Sequence, residues 1–201
     1  MPDGPTIGLL LAAGRGSRFD PTGRADKLLA MVAGQPAVLR ALAALSPAVD
    51  QVVAVVRPDA RGAAVAAVLA RADCTALPCA DAESGMGHSL ACAAAEARRR
   101  GAARVVVMLG DLPFVRTDTV ARVVAAVAGP DAIAVPTHGG ERGHPVAFGA
   151  AHLPALAQAS GDRGAGALLR SHPVTTVDVD DPGIRRDVDT PADLETPEDH
   201  A

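Results

Sequence analysis

The chain has 201 residues, enough for one domain whose buried core needs neither disulfides nor metals. Hydrophobic residues make up 49% but aromatics only 1%, so that core must be packed from Ala, Val and Leu. A formal net charge of −4, with dispersed charges of both signs, excludes a nucleic-acid-binding face, and no apolar run approaches the roughly 18 residues of a membrane span.

In chain order, the N-terminal segment lacks the basic leader of a secretory signal, and Ile7–Ala12 reads as a buried strand ending in a glycine-rich turn. Pro36–Leu45 has a Pro start and helical spacing of Val38, Leu39, Leu42 and Leu45. Gln51–Val56 is a β-branched strand, Ala60–Ala72 an Ala-rich helix and Thr75–Leu77 a short strand. Cys79–Gly87 is polar and turn-like, and His88–Arg100 a helix whose terminal arginines complement its dipole. Arg104–Leu109 is the most strand-like run. Thr117–Ala128 carries Val120, Val123, Val124 and Val127 on one helical face. Ala132–Val135 and Pro145–Phe148 read as strands, followed by a helix near Gly164–Ser171 and a strand at Val174–Val179. Thr190-Pro191-Ala192-Asp193 predicts a capped helix start, with the Asp193 carboxylate reaching back to the cap. This alternation implies an α/β fold with a mainly parallel sheet covered on both faces. Cys74, Cys79 and Cys92 are odd in number and form no CxxC pair. They read as small core residues of a reducing, cytoplasmic compartment.

Ligands of open α/β sheets bind beyond the carboxyl ends of the strands, which singles out the residues just after each strand. The first strand leads into Leu11-Ala12-Ala13-Gly14-Arg15-Gly16-Ser17-Arg18-Phe19. Its free N–H groups, two glycines and two arginines suit a phosphate, although a plain glycine-rich connection with solvated arginines has the same composition. No Gly-Lys-Ser/Thr follows, and Phe19 stands where a dinucleotide fingerprint has its third glycine. Lys27 is a further candidate phosphate ligand. Asp111, in Gly110-Asp111-Leu112-Pro113, follows the most apolar strand. It could hold Mg²⁺ against phosphates or cap a turn. Asp189, in Asp187-Val188-Asp189, could meet Asp111 at one metal ion or serve the Thr190 cap. Brought together, two such carboxylates repel, so the expected site is hydrated and holds its ion weakly until nucleotide arrives. His144, in Arg142-Gly143-His144-Pro145, sits in a glycine-rich loop that suits binding or an ordinary turn. The histidines show no zinc spacing.

The opening LLAAGRGSRF with Lys27-Leu28-Leu29 resembles the signature loop of the MobA-like nucleotidyltransferases, most closely the molybdenum cofactor cytidylyltransferase branch. The segments at Gly85–Leu90, Gly110–Pro113, Arg142–Val146, Gly161–Ala165 and Asp187–Leu194 follow in the family's order and extend the resemblance over nearly the whole chain. It implies a Rossmann-like, three-layer αβα fold of the nucleotide-diphospho-sugar transferase type, as a single domain over 1–201 with 196–201 as a frayed tail. It implies an NTP lined by Leu11, Ala12, Ala13, Gly14 and Gly16, with Gly87 and Ser89 near base and ribose. Arg18 and Lys27 would hold the phosphates and act catalytically with Asp111. Asp111 would be the main Mg²⁺ ligand, and Asp189 matches the second metal carboxylate of the similar CMP-sugar synthetases. His144 and Asp162 would face the acceptor.

Leu-Ala-Ala-Gly loops accompany CTP and Leu-Ala-Gly-Gly loops GTP in this family, so Ala13 implies CTP. The implied reaction moves CMP to the phosphate of molybdopterin with release of pyrophosphate, and a molybdoenzyme would be the client. Asp20–Asp26 lengthens the loop relative to the family pattern, and Arg24 could replace Lys27 at the phosphates. Other readings are transfer to a sugar or alcohol phosphate, use of GTP, or a non-catalytic nucleotide- or pterin-binding chaperone of a molybdoenzyme. Retention of Asp111, Asp189, Arg18 and Lys27 together favours an enzyme, because a binder needs no paired metal carboxylates.

Overall fold

The computed structural model describes residues 4–22, 24–72, 74–161 and 164–194. Its central strand is β1 (Thr6–Ala12), buried along its whole length. Two elements with no clear sequence signal, β2 (Met31–Val32) and β3 (Gln35–Pro36), form a small hairpin that leads into α1 (Ala37–Leu45). There follow β4 (Gln51–Val56), α2 (Ala60–Leu69), β5 (Thr75–Pro78), α3 (Met86–Arg99), β6 (Arg104–Leu109) and α4 (Thr117–Ala125). The remainder contains β7 (Ile133–His138), β8 (Glu141–Arg142), β9 (Val146–Gly149), α5 (Leu153–Leu156), α6 (Gly166–Ser171) and β10 (Thr175–Asp178).

The sheet order is β10-β7-β9-β6-β1-β4-β5, with β8 paired to β7. Pairing is parallel except at β9, which is antiparallel to both β6 and β7, and at β8. The expectation of a mostly parallel sheet with helices on both sides therefore holds. Alternate strand residues serve opposite faces. Leu10, Val52, Ala54, Val106 and Met108 pack against α1, α2 and α4. Ile7, Leu9, Val53, Val105, Val107 and Phe148 pack against α3 and α5, with α6 at the margin. Each Val or Leu so buried contributes about 1.5–3 kcal/mol, which lets a core almost free of aromatics suffice.

Several boundaries differ from the expected ones. Helix α3 begins at Met86 rather than His88, because Gly85, at φ 122°, makes the turn that starts it. Helix α4 stops at Ala125, short of Ala128, where the chain turns toward Gly129 and Pro130. Strand β7 runs on to His138, and β9 starts after a cis His144–Pro145 peptide rather than at Pro145. The Thr190 cap forms as expected: the Asp193 carboxylate accepts from Thr190 N–H (2.6 Å), Thr190 Oγ1 (2.8 Å) and Asp189 N–H (3.0 Å). Among the described residues, which end at Leu194, a short 3₁₀ turn, Pro191–Leu194, follows it. The cysteines are free, with Cys74 and Cys79 buried and Cys92 partly so. No helix among the described residues is long and apolar enough to cross a membrane. The tail at 196–201 lies outside the described residues.

From β1 the chain builds outward through β4 and β5, then returns to place β6 on the opposite edge of β1. This reversal makes a crevice at the carboxyl ends of β1 and β6, the position where such sheets take ligands. The loop after β1 and Asp111 after β6 both open into it.

Candidate active site

Asp111 is placed by backbone pairing. Gly110 N–H donates to the Leu11 carbonyl at 2.9 Å, which carries the β1–β6 register to the strand ends and sets Asp111 beside the first loop. Val188 N–H donates to the Asp111 carbonyl at 2.9 Å. Val188 is fully buried in a small apolar cluster with Val32 and Ala37. With Val188 turned inward, its neighbours Asp187 and Asp189 face Asp111, the alternation of an extended chain. One oxygen from each of Asp111, Asp187 and Asp189 lies within 4.8 Å of the others. The expected pair is thus a trio. The i, i+2 spacing of Asp187 and Asp189 was the sequence signal for its third member.

Lys27 stands among these carboxylates. It belongs to a turn in which Leu28 N–H donates to Asp26 Oδ1 (2.9 Å) and Leu29 N–H to the Asp26 carbonyl (3.0 Å). Val38 N–H, donating to the Leu28 carbonyl at 3.0 Å, ties that turn to α1. Lys27 Nζ lies 2.5 Å from Asp111 Oδ2 and 2.9 Å from Asp189 Oδ1. Arg18 Nη1 lies 2.7 Å from Asp189 Oδ2. The expectation of a hydrated, mutually repelling pair is corrected here, because an ammonium bridges the two charges. Burial works to lower the pKa of Lys27, but the Asp111 and then the Asp189 carboxylates outweigh it and hold the ammonium above its ordinary value. Burial likewise works to raise Asp189, yet Lys27, Asp187 and Arg18 hold it below the usual carboxylate range. Asp187 is pushed up by burial and by the charge of Asp189.

The lengthened loop does not bring Arg24 into this group. Asp20 closes the loop on itself, accepting from Thr22 Oγ1 (2.7 Å), Ala25 N–H (2.7 Å), Thr22 N–H (2.8 Å) and Arg24 N–H (2.7 Å). These bonds, that of the Thr22 hydroxyl first, hold the Asp20 carboxyl well below its ordinary range. Arg24 is left exposed, and Lys27 takes the place at the carboxylates.

A cleft of about 520 Å³ adjoins the carboxylates. Leu11, Ala13, Gly14, Arg15, Lys27 and Leu28 line one side, Ala82–Met86 and Ser89 another, and Leu109 and Asp111 complete it. Four residues expected at the nucleotide are not in this lining. Ala12 is buried against the α1 side of the sheet. Gly16, at φ 63°, turns the loop. Arg18 lies on Asp189. A Cβ on Gly87 would fall 2.6 Å from the Ser160 carbonyl, so this glycine lets α3 pack against the backbone at 160–161. No motif or spacing announces the link between the cleft walls. Arg15 donates to the Glu83 carbonyl (3.2 Å), and Arg57 holds the Glu83 carboxylate (2.8 Å) while bound to Asp59 (2.6 Å).

A second cavity, of about 280 Å³, shares Leu11, Met86 and Leu109 with the first. Its walls are otherwise mostly aliphatic, with Leu90, Val107, Val135, Val146 and Leu169, and Arg142 and His144 supply the polar side chains. The His144 N–H donates to the Ile184 carbonyl at 2.8 Å. Burial lowers the His144 pKa against the opposing pull of the Val107 carbonyl and Asp111. Asp162, the other residue expected on the acceptor side, lies outside the described residues.

The donor set fits a hard divalent cation. All three clustered groups are carboxylates, and Asp111 Oδ1 is buried with no hydrogen-bond partner among the described residues. Asp111, Asp187 and Asp189 are the residues that could hold it.

The model of the MobA-like NTP transferase domain matches residues 8–177. The Bacillus subtilis protein described as purine catabolism protein PucB is 30% identical over 198 residues, covering 94% of each chain. The crystal structure of Rv0371c from Mycobacterium tuberculosis H37Rv has a TM-score of 0.81 at 31% identity and covers 96% of each chain. A manganese complex of Rv0371c has a TM-score of 0.71 at 28% identity, covering 98% of this chain and 96% of that one. With a match over that span and relatives similar along nearly their whole length, the chain is a nucleotidyltransferase and belongs to the MobA-like NTP transferase domain family.

Proposed function

We propose that the protein moves CMP from CTP to the terminal phosphate of molybdopterin, with Mg²⁺, and releases pyrophosphate. The observation that carries this reading is the convergence of three carboxylates, Lys27 and Arg18 beside two adjoining cavities. Phosphoryl transfer needs positioning and charge neutralisation more than covalent catalysis. Mg²⁺ on Asp111, Asp187 and Asp189 would supply neutralisation of the α-phosphate. An acceptor phosphate oxygen bonds to the α-phosphorus in line as the bond to the β-phosphate oxygen breaks. Lys27 and Arg18 take up the charge of the departing pyrophosphate. No general base is required, because a phosphate monoester is largely ionised near pH 7.

CTP is favoured by Ala13, a residue of the larger cleft's lining, whose methyl group would narrow the room for a base. The smaller cavity supports a flat ring system as acceptor: its aliphatic walls suit the faces of a pterin, and Arg142 and His144 suit a polar edge.

The test is pyrophosphate release from CTP and GTP with molybdopterin and with sugar phosphates as acceptors. Turnover is expected with CTP and molybdopterin. Faster turnover of GTP overturns the choice of base, and turnover of a sugar phosphate alone overturns the acceptor. Ala13→Gly should narrow the preference for CTP by up to about 1–3 kcal/mol, the worth of one methyl contact in a pocket. Asp111→Asn should abolish turnover, and Arg18→Ala should weaken calorimetric CTP binding by about 1–3 kcal/mol.

A further inference from the structure

We infer that Lys27 is a stand-in cation, whose ammonium holds the carboxylate cluster together in the nucleotide-free protein and must leave before a divalent ion can be bound there. The inference rests on the nucleotidyltransferase reading for what draws Lys27 away, and on geometry alone for its competition with the ion.

Lys27 reaches two segments remote in sequence, with Nζ 2.5 Å from Asp111 Oδ2 and 2.9 Å from Asp189 Oδ1. Its side chain is only 9% exposed, so solvent and salt screen these contacts weakly. A Mg²⁺ ion needs ligand oxygens at about 2.0–2.1 Å. An ion drawing on Asp111 Oδ2 and Asp189 Oδ1 would sit within a few ångströms of the ammonium, two cations competing for the same oxygens. The other donors of the cluster are arranged differently. Asp187 makes no ion pair with Lys27 among the described residues, and Asp111 Oδ1 has no partner among them. Asp187, the exposed member, can draw an ion toward the cluster while Lys27 still occupies Asp111 Oδ2 and Asp189 Oδ1.

The lysine also has room to leave. Its stem passes Gly16, where even an added Cβ would make only ordinary contact with Lys27 Cγ, at 3.5 Å, so this side of the stem is uncrowded. Lys27 itself lines the 520 Å³ cleft, beside Ala13 and Gly14. A four-carbon stem can swing its ammonium from the carboxylates toward phosphates lodged in that cleft without moving the backbone. Phosphates that attract Lys27 free the carboxylates, and an ion on the carboxylates frees Lys27. Metal and nucleotide must then strengthen each other's binding reciprocally. Metal alone binds weakly because it has to displace a cation already in place.

The test uses the full chain and Mn²⁺ as a paramagnetic probe, read by the loss of free-ion signal with no nucleotide present. Lys27→Met is expected to bind Mn²⁺ at least about tenfold more tightly than wild type. CTP should tighten Mn²⁺ binding by a larger factor in wild type than in the variant, because in the variant only the phosphate ligands, and no release of Lys27, contribute. Should Lys27→Met melt too low to titrate, Mn²⁺ alone is expected to raise its melting temperature more than that of wild type. The double variant Lys27→Met/Asp189→Asn, compared with Asp189→Asn, repeats the comparison with less uncompensated charge. Mn²⁺ affinity without nucleotide that is unchanged or weaker on loss of Lys27, in both backgrounds, overturns the inference. Tighter Mn²⁺ binding by Lys27→Met, with no pyrophosphate release by the wild-type chain from CTP or GTP with any of the acceptors, leaves the stand-in role intact and overturns the proposed reaction instead.

Discussion

His144 shows how one side chain can make stability depend on pH. Its Nδ1 is buried without a hydrogen-bond partner among the described residues, and burial lowers its pKa despite the Val107 carbonyl and Asp111. The folded chain therefore keeps the imidazole neutral at pH values where the unfolded chain, with an ordinary pKa of about 6.5, takes up a proton. The stabilisation is fully present above that value and is lost as pH falls through the depressed folded pKa. Urea denaturation from pH 7.5 down to 5.5 is expected to show falling stability, and His144→Gln should flatten that slope. An unchanged slope in the variant would assign the titration to another group. At this scale the sequence disclosed the groups that end strands. Asp111 was legible because a carboxylate just past an apolar strand has few structural uses, and Asp189 because it precedes a strong cap. The partners of Lys27 were not legible. Nothing in the spacing of Lys27, Asp111 and Asp189 reports that a turn tied to α1 delivers an ammonium between two carboxylates.

Among the elements, α3 ties the nucleotide cleft to the rest of the fold, since Met86 and Ser89 in its first turns line that cleft. Its early start escaped sequence reading because Gly85-Met86-Gly87 carries two glycines, which weaken helix propensity and suggest a loop. The structure gives each glycine a separate reason: Gly85 turns the chain at φ 122°, and Gly87 admits the backbone at 160–161. Gly87→Ala would gain helix propensity but drive its Cβ to 2.6 Å from both the carbonyl carbon and oxygen of Ser160. Overpacking against backbone that cannot rotate away outweighs propensity, and a loss of about 1–3 kcal/mol is expected in urea denaturation. The same displacement should weaken CTP binding, because Met86 and Ser89 move with the helix. Unchanged stability would show that the 160–161 segment yields and that α3 is held elsewhere.

At the scale of the whole molecule, the alternation of apolar strands with amphipathic helices made the parallel sheet legible, but not the reversal of β9. Val146–Gly149 is buried on both faces whichever way it runs, so its composition carries no direction, and only the connection from β7 through β8 sets it antiparallel. The sheet that results places β1 between β4 and β6, with its seven residues buried, while the ligand-facing segments leave the strand ends as loops. This predicts a division of local stability that hydrogen exchange can read. Amides of β1 and β6 should exchange only through global unfolding, and the loop at 13–27 with the segments at 82–86 and 187–189 through small local openings. Addition of CTP with Mg²⁺ should slow exchange in those three segments together, although they are far apart in sequence, because the cleft and the carboxylate cluster draw on all of them. Helix α2 and strand β10, which line neither the cleft nor the cluster, should be unaffected beyond the general gain in stability that any ligand of the folded state confers. Protection confined to the loop after β1, with 187–189 unchanged, would detach the carboxylates from the nucleotide site. Protection centred on β10 would move the site from the middle of the sheet to its edge.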